Sequence, residues 1–179
     1  MFNELLNQIL KRTLKIDKGQ PILLNKVPFV MFPARSMSKL VQKIGEDFGD
    51  DYSYQLGYDA GKMVAEEFVN KLGWVEKAFA QKMSTMLNMF EVMGFGKMEI
   101  LVWNTKENKV LIHLTSNPVI NWGTKIFGKN EKSCVFYRGI FSSHTENEFG
   151  IKGCKFTETQ CVSKKGKFCE WSYNYFKKS

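Results

Sequence analysis

The run Glu158-Thr-Gln-Cys161-Val-Ser-Lys-Lys-Gly166-Lys-Phe-Cys169-Glu-Trp171 leaves the backbone few choices. Thr157 to Ser163 and Lys167 to Phe176 are rich in strand-favouring residues. Lys164-Lys165-Gly166 between them reads as a three-residue hairpin loop, with the glycine where a type I turn plus bulge needs positive φ. Such a loop fixes the register. If Ser163 faces Lys167, Cys161 faces Cys169, with β-carbons about 4.5–5.5 Å apart on one face. Two sulfurs on one tetrahedral zinc, at about 2.3 Å each, stand about 3.8 Å apart. The hairpin therefore offers half a metal site.

Further ligand candidates lie nearby. Glu158 precedes Cys161 by three residues, Cys134 lies upstream, and Cys154 competes for a place in the set. Residues three apart on an ideal strand point to opposite faces, so Glu158 and Cys161 can share a metal only across a bulge or twist. An opposed cysteine pair is also compatible with a disulfide or with two small buried hydrophobes. The amino terminus shows no basic region followed by an apolar run, so a cytoplasmic chain is expected, and structural disulfides are rare there. The usual zinc finger and zinc ribbon spacings are absent.

Bulk properties narrow the class. With 179 residues, 44% hydrophobic and 25% charged, the chain has the make-up of a globular domain with a sizeable core. No window approaches the roughly 18 uninterrupted apolar residues of a membrane span. The net charge of +8 is carried by scattered lysines, with arginine only at positions 12, 35 and 138. A nucleic-acid reader would be expected to cluster its cations and to favour arginine, so nucleic acid is not the expected partner. Fifteen Phe, six Tyr and four Trp are more aromatic residues than packing alone usually asks for.

Periodicity predicts an amphipathic helix over residues 3–15, so residues 1–18 read as an amino-terminal element, a candidate dimer contact, before a domain of residues 19–179. Pro21 to Phe32 reads as one or two short edge strands. A helix capped by Ser36 is expected over Met37 to Phe48, with Gly49-Asp50-Asp51 as its break. The next, from about Tyr52 to Leu72, carries Tyr54, Tyr58, Ala65, Phe68 and Leu72 as its buried stripe. Gly57 and Gly61 on that helix permit another backbone to approach closely. Gly73 reads as its cap, and a third helix is expected from Trp74 to Met93. Its methionines at 83, 86, 89 and 93 read as core filler. Lys97–Trp103 and Lys109–Thr115 form a hairpin. A short helix over Val119 to Phe127 stops at Gly128, and another runs from Cys134 to about His144. The order predicts an α+β domain, an antiparallel sheet with helices packed on one face and a closing carboxy-terminal hairpin that holds a metal.

Five motifs resemble the 4-vinyl-reductase domain family over about residues 20–176. They are Gly57-Tyr-Asp-Ala-Gly61, Thr115-Ser-Asn-Pro118, Cys134-Val-Phe-Tyr-Arg-Gly139, Glu158-Thr-Gln-Cys161 and Gly166-Lys-Phe-Cys169. The resemblance implies a small-molecule receptor whose fold is shared with subunits of a Golgi-tethering complex. In similar sensor domains of phenol-responsive activators, the matching cysteine, glutamate and two cysteines bind structural zinc. The resemblance thus implies Cys134, Glu158, Cys161 and Cys169 as zinc ligands, with Cys154 as a substitute because the interval from Cys134 to Glu158 is slightly longer here. Positions matching the sensors' aromatic pocket fall on His113, near Arg138 and Phe141, and on His144. These side chains suggest a more polar or anionic ligand than phenol. On residues alone, His113 also reads as a hydrogen-bonded strand histidine, and His144 as an exposed one.

Three classes of function follow. The first is a zinc-stabilised module for a small hydrophobic or aromatic molecule, a hydrocarbon included, that works as a homodimer and reports to a protein partner. The second, implied by the family name, is a reductase or accessory in reduction of a tetrapyrrole vinyl group. No Gly-rich dinucleotide fingerprint follows a strand and no nucleophile has a histidine base in view, so catalysis by the chain's own groups is not expected. The third is an assembly or scaffold subunit.

Overall fold

The computed structural model describes residues 32–72 and 79–174, with the backbone of 14–17, 20–23 and 27–28. Three short antiparallel strands come first: β1 (Leu14–Asp17), β2 (Gln20–Leu23) and β3 (Val27–Pro28). Leu14 and Lys15, expected to end an amphipathic helix, are therefore extended and paired to Leu23 and Ile22. Residues 3–13 of that expected helix lie outside the described residues.

Helix α1 (Ala34–Phe48) begins two residues ahead of Ser36. Pro33 occupies its cap position without a side-chain bond. Proline's fixed φ suits a helix entrance, and that displaces the serine from the cap role. Gly49, at φ 87°, breaks the chain as expected, and α2 (Asp50–Leu72) starts at once with Asp50 and Asp51 in its first turn. Carboxylates there oppose the positive end of the helix dipole. In α2, Ala65 is fully buried and Tyr54 nearly so. Phe68, Leu72, Gly73 and Trp74 lie outside the residues whose side chains are described. Helix α3 (Phe79–Val92) buries Met86, Met89 and Phe90, with Met83 and Met93 packed against the core.

Strands β4 (Lys97–Asn104) and β5 (Lys109–Thr115) form the expected hairpin, followed by α4 (Pro118–Phe127). Asn117 ties these parts together. Its Oδ1 accepts from the Ile120 amide at 2.8 Å and its Nδ2 donates to the Phe95 carbonyl at 2.8 Å. Asn117→Ala is expected to cost about 1–2 kcal/mol, the usual worth of an N-cap. A lowered urea midpoint with an unaltered slope checks this, and a midpoint equal to the parent's contradicts it.

Helix α5 (Ser133–Phe149) is longer than the sequence suggested. It passes His144 and stops at Gly150, whose left-handed φ of 72° no side chain before it matches. The closing hairpin is β6 (Thr157–Gln160) and β7 (Cys169–Tyr173). Tyr175 and Phe176, expected to extend its second strand, lie outside the described residues. The main sheet has the order β4-β5-β7-β6, antiparallel throughout.

Register sorts the sheet's two faces. Val110, Ile112 and Leu114 pair with Tyr173, Trp171 and Cys169. They point with them to the side covered by Phe136, Ile140 and Phe141 of α5. His113 and Glu170 point the other way.

Across the helix layer, α2 and α5 meet backbone to backbone. A β-carbon on Gly57 would press into the Phe136 carbonyl, one on Gly61 would stand 2.7 Å from the Ile140 carbonyl oxygen, and one on Gly139 would strike the Tyr54 carbonyl. The close approach expected at Gly57 and Gly61 is thus present, with Gly139 as the reciprocal notch.

Candidate metal centre

Cys134 stands in the first turn of α5, and its backbone amide is held by an acid. Glu131, one residue ahead of the helix-cap position, accepts from the Ser133 and Cys134 amides, the latter at 3.4 Å. It thereby satisfies two donors that a helix start leaves open. Burial is the main cause that pushes the Glu131 carboxyl up to about 7. Nothing in the spacing of the cysteines points to Glu131. An acid just ahead of a helix start was its only signal.

The hairpin supplies two more thiols. Thr157 and Glu158 pair with Ser172 and Trp171, but Gln160 pairs with Glu170, so Thr159 is the extra residue of a bulge. That bulge places Glu158, opposite Trp171, on the same face as Cys169, and it resolves the odd spacing between Glu158 and Cys161. One step beyond Gln160, Cys161 brings its sulfur to 3.6 Å from that of Cys169, across a connection longer than the three-residue loop expected.

The turn itself differs from expectation. Val162–Lys164 form a single 3-10 turn, and Lys165, not Gly166, takes positive φ, at 69°. Gly166 is needed for room instead. A β-carbon there would come 2.7 Å from the Cys161 carbonyl oxygen, to which the Gly166 amide donates at 2.9 Å.

The outcome is a buried triangle of sulfurs. Sγ of Cys134 is 3.3 Å from that of Cys161 and 3.1 Å from that of Cys169, and the latter two are 3.6 Å apart. A disulfide needs about 2.05 Å, so none is present. Among the described residues, these three form the one group of side chains able to hold a metal ion. Their spacing falls slightly short of the roughly 3.8 Å between thiolates on a shared tetrahedral ion. Thiol donation from Cys134 and then Cys169 holds Cys161 well below the usual thiol range, helped by Ser163, whose Oγ is 3.1 Å away. Cys134 is pushed up in return by its hydrogen bond to Cys161. A divalent cation bound there would favour the thiolate form of all three.

The other residues singled out in the sequence are spread around this centre. Glu158 shares with Cys134 a cleft of about 380 Å³, also lined by Arg138. Its carboxylate lies outside the close sulfur group and accepts from Lys164 Nζ at 2.6 Å. Cys154 is buried beside a second cleft with Tyr54 and Tyr58, and burial pushes its thiol up to about 12. Cys154→Ala is accordingly expected to leave metal content at the parent's value. A drop in metal per chain would return Cys154 to the ligand set.

His113 is hydrogen-bonded, Nε2 to Glu170 Oε2 at 2.7 Å, and stacked 3.9 Å from the Phe168 ring. It lies on the sheet face away from Phe141. His144 was expected to be exposed, but it is 1% exposed, because α5 continues past it under the sheet. Phe141 and His144 share an aromatic interior in which Phe90 lies 4.9 Å from each ring and Trp171 lies 5.4 Å from Phe141.

A solved structure with the same course is the phenol-responsive sensory domain of the transcription activator PoxR, determined with phenol. It aligns with a TM-score of 0.67 over 96% of this chain and 89% of that one, at 13% identity. The two chains share a fold. No family model matches the sequence, and no curated protein does. The resemblance to the 4-vinyl-reductase family rests on the five motifs alone. No helix among the described residues is long and apolar enough to cross a membrane.

Proposed function

We propose that this chain is a zinc-containing domain that binds a small hydrophobic or aromatic molecule and serves as a sensor or accessory module in the cytoplasm. The carrying observation is the double use of α5. Its first turn brings Cys134 to the two hairpin sulfurs, and its later turns carry Phe141 and His144 into an aromatic interior. A metal there would fasten the closing hairpin to the helix that lines the interior, holding a pocket wall without taking part in chemistry. The phenol complex of the fold neighbour supports the ligand class.

Zinc suits three buried thiolates better than the hard cations do. In this reading Glu158, already on the cysteine face, releases Lys164 and completes a closed four-ligand set. The resemblance to the 4-vinyl-reductase family belongs to the same proposal.

A homodimer is favoured by one further observation. Leu40 and Phe48 on α1 and Tyr52, Leu56 and Met63 on α2 are exposed, and the Phe48 and Tyr52 rings lie 5.0 Å apart. Patches of this kind mark protein contacts more often than solvent faces. Sedimentation showing only monomer at tens of micromolar would remove the dimer.

Native mass spectrometry of the purified chain tests the main reading. One zinc per chain, with added small-molecule mass that leaves on denaturation, is the expected result. A chain that folds fully without metal and shows no stabilisation by any small aromatic compound refutes it.

A further inference from the structure

The cleft beside the sulfur centre has a chemistry that the aromatic interior does not share. It holds about 380 Å³, and no aromatic side chain lines it. Its walls come from the end of α1, the start of α2, the first turns of α5 and the turn of the closing hairpin. Arg138 stands one helical turn beyond Cys134, and both line the same wall.

Four carboxylates face this cleft, and each is engaged by another group. Lys132 Nζ donates to Asp50 at 2.7 Å, and Lys164 Nζ donates to Glu158 at 2.6 Å. Gln42 Nε2 donates to Glu46 at 2.8 Å, and Glu131 takes the Ser133 and Cys134 amides. Two cations are left over. Lys129 makes no ion pair among the described residues, and neither does Arg138. Arg138 Nη1 reaches the Phe156 carbonyl only at 3.5 Å, and its Nε is enclosed with no hydrogen-bond partner.

A guanidinium stays charged at any pH a folded protein meets, so half-buried Arg138 cannot become neutral to lower the cost of its position. Water satisfies a lysine on an open surface. A half-buried planar fork of donors instead matches the two oxygens of a carboxylate or phosphate group.

We infer that this cleft is a binding site for a small oxyanion, a carboxylate or a phosphate-like group, which Arg138 receives in its fork and Lys129 helps to neutralise. A cationic ligand would have to take the carboxylates from donors they already hold. An apolar ligand would meet Cys134 and Val135 as its only apolar neighbours. Phe141 and His144 do not line the cleft, so the site goes beyond the aromatic reading above and does not depend on it. In the metal-bound form proposed there, Glu158 leaves Lys164, which adds a cation to the cleft and removes none.

Nitrogen–proton NMR of the zinc-loaded protein tests the assignment, with sodium sulfate and sodium acetate titrated against sodium chloride at equal ionic strength. Arg12, Arg35 and Arg138 are the only arginines, so each side-chain Nε–H signal is assignable by substitution. Sulfate or acetate should shift the Arg138 signal to saturation. The signal of Arg35, whose guanidinium lies over the exposed Trp122 ring, should stay in place. Saturation at lower sulfate concentration assigns the site to phosphate-like groups, and saturation at lower acetate concentration assigns it to carboxylates. In calorimetry, Arg138→Gln should weaken the tighter anion at least about tenfold, the worth of a hydrogen bond between charged groups. Arg138→Lys, which keeps the charge without the fork, should recover part of that loss. The parent's NMR titration decides alone if Arg138→Gln fails to fold. No shift at Arg138, or equal shifts at Arg138 and Arg35, would reduce the anions to diffuse counterions and overturn the site.

Discussion

Replacing Cys161 with serine is expected to remove the metal and to lower the melting temperature more than any other single change in the carboxy-terminal hairpin. Cys161 is the sulfur on which the two other thiols converge, and it also receives Ser163. Serine keeps the volume but offers a hydroxyl that does not ionise at neutral pH, so one of three strong ligands is lost and the remaining pair binds weakly. Loss of a structural metal belongs to the few mechanisms that exceed about 4 kcal/mol. In a chain of this size each kcal/mol moves the midpoint by roughly 2–4 °C, so a fall of about 8–16 °C is expected.

Zinc per chain and calorimetric melting should fall together, and a strong chelator should bring the parent down to the variant's midpoint. A variant that keeps one zinc per chain would dismiss the sulfur triangle as the metal centre. A variant that loses zinc without losing stability would dismiss its structural role.

Gly57→Ala is expected to destabilise the protein as well, for a reason unrelated to chemistry. On helix propensity alone the change should help by about 1 kcal/mol. The added methyl group, however, would meet the Phe136 carbonyl of α5, which is backbone and cannot turn aside. The two helices would have to part, opening the packed layer beneath Phe136 and Ile140, and overpacking of that kind costs about 1–3 kcal/mol or more. Gly94→Ala is a useful contrast. Gly94 has open space around it, so its cost comes only from the φ of 81°. Urea unfolding of both variants separates the two mechanisms. A Gly57→Ala protein as stable as the parent would mean that α2 and α5 are not in backbone contact.

The features legible in the sequence are those fixed by short-range geometry. The hairpin brings the Cys161 and Cys169 sulfurs to 3.6 Å, although the strands end at Gln160 and resume at Cys169 and the expected three-residue loop is not formed. The odd interval from Glu158 to Cys161 demanded a bulge, and one is present at Thr159. Two glycines four apart announced a close helix crossing, although their partner Gly139 carried no local signal, because a single glycine in a helix marks nothing until its neighbour is known.

Errors came where a stop signal had competitors. The sequence reading ends α5 at about His144, whereas Gly150 is where the chain takes the φ that a helix end needs here. That misplacement hid the i,i+4 pairing of His144 with Glu148 and made a buried histidine look exposed. Gly166 was singled out correctly for the wrong cause, since close approach and positive φ both call for glycine. Glu131 was invisible because its role depends on where α5 begins relative to sulfurs that are 30 and 38 residues downstream in sequence.

The sulfur triangle also has a meaning for the unfolded chain. Its three sides close loops of 8, 27 and 35 residues. Loop entropy grows with the logarithm of length, so joining Cys134 to the hairpin costs about 1 kcal/mol more than joining Cys161 to Cys169. In the proposed zinc-bound form the contact between the hairpin sulfurs is thus the one cheapest to close, and the contact to Cys134 ties in the start of α5 at the larger entropic cost.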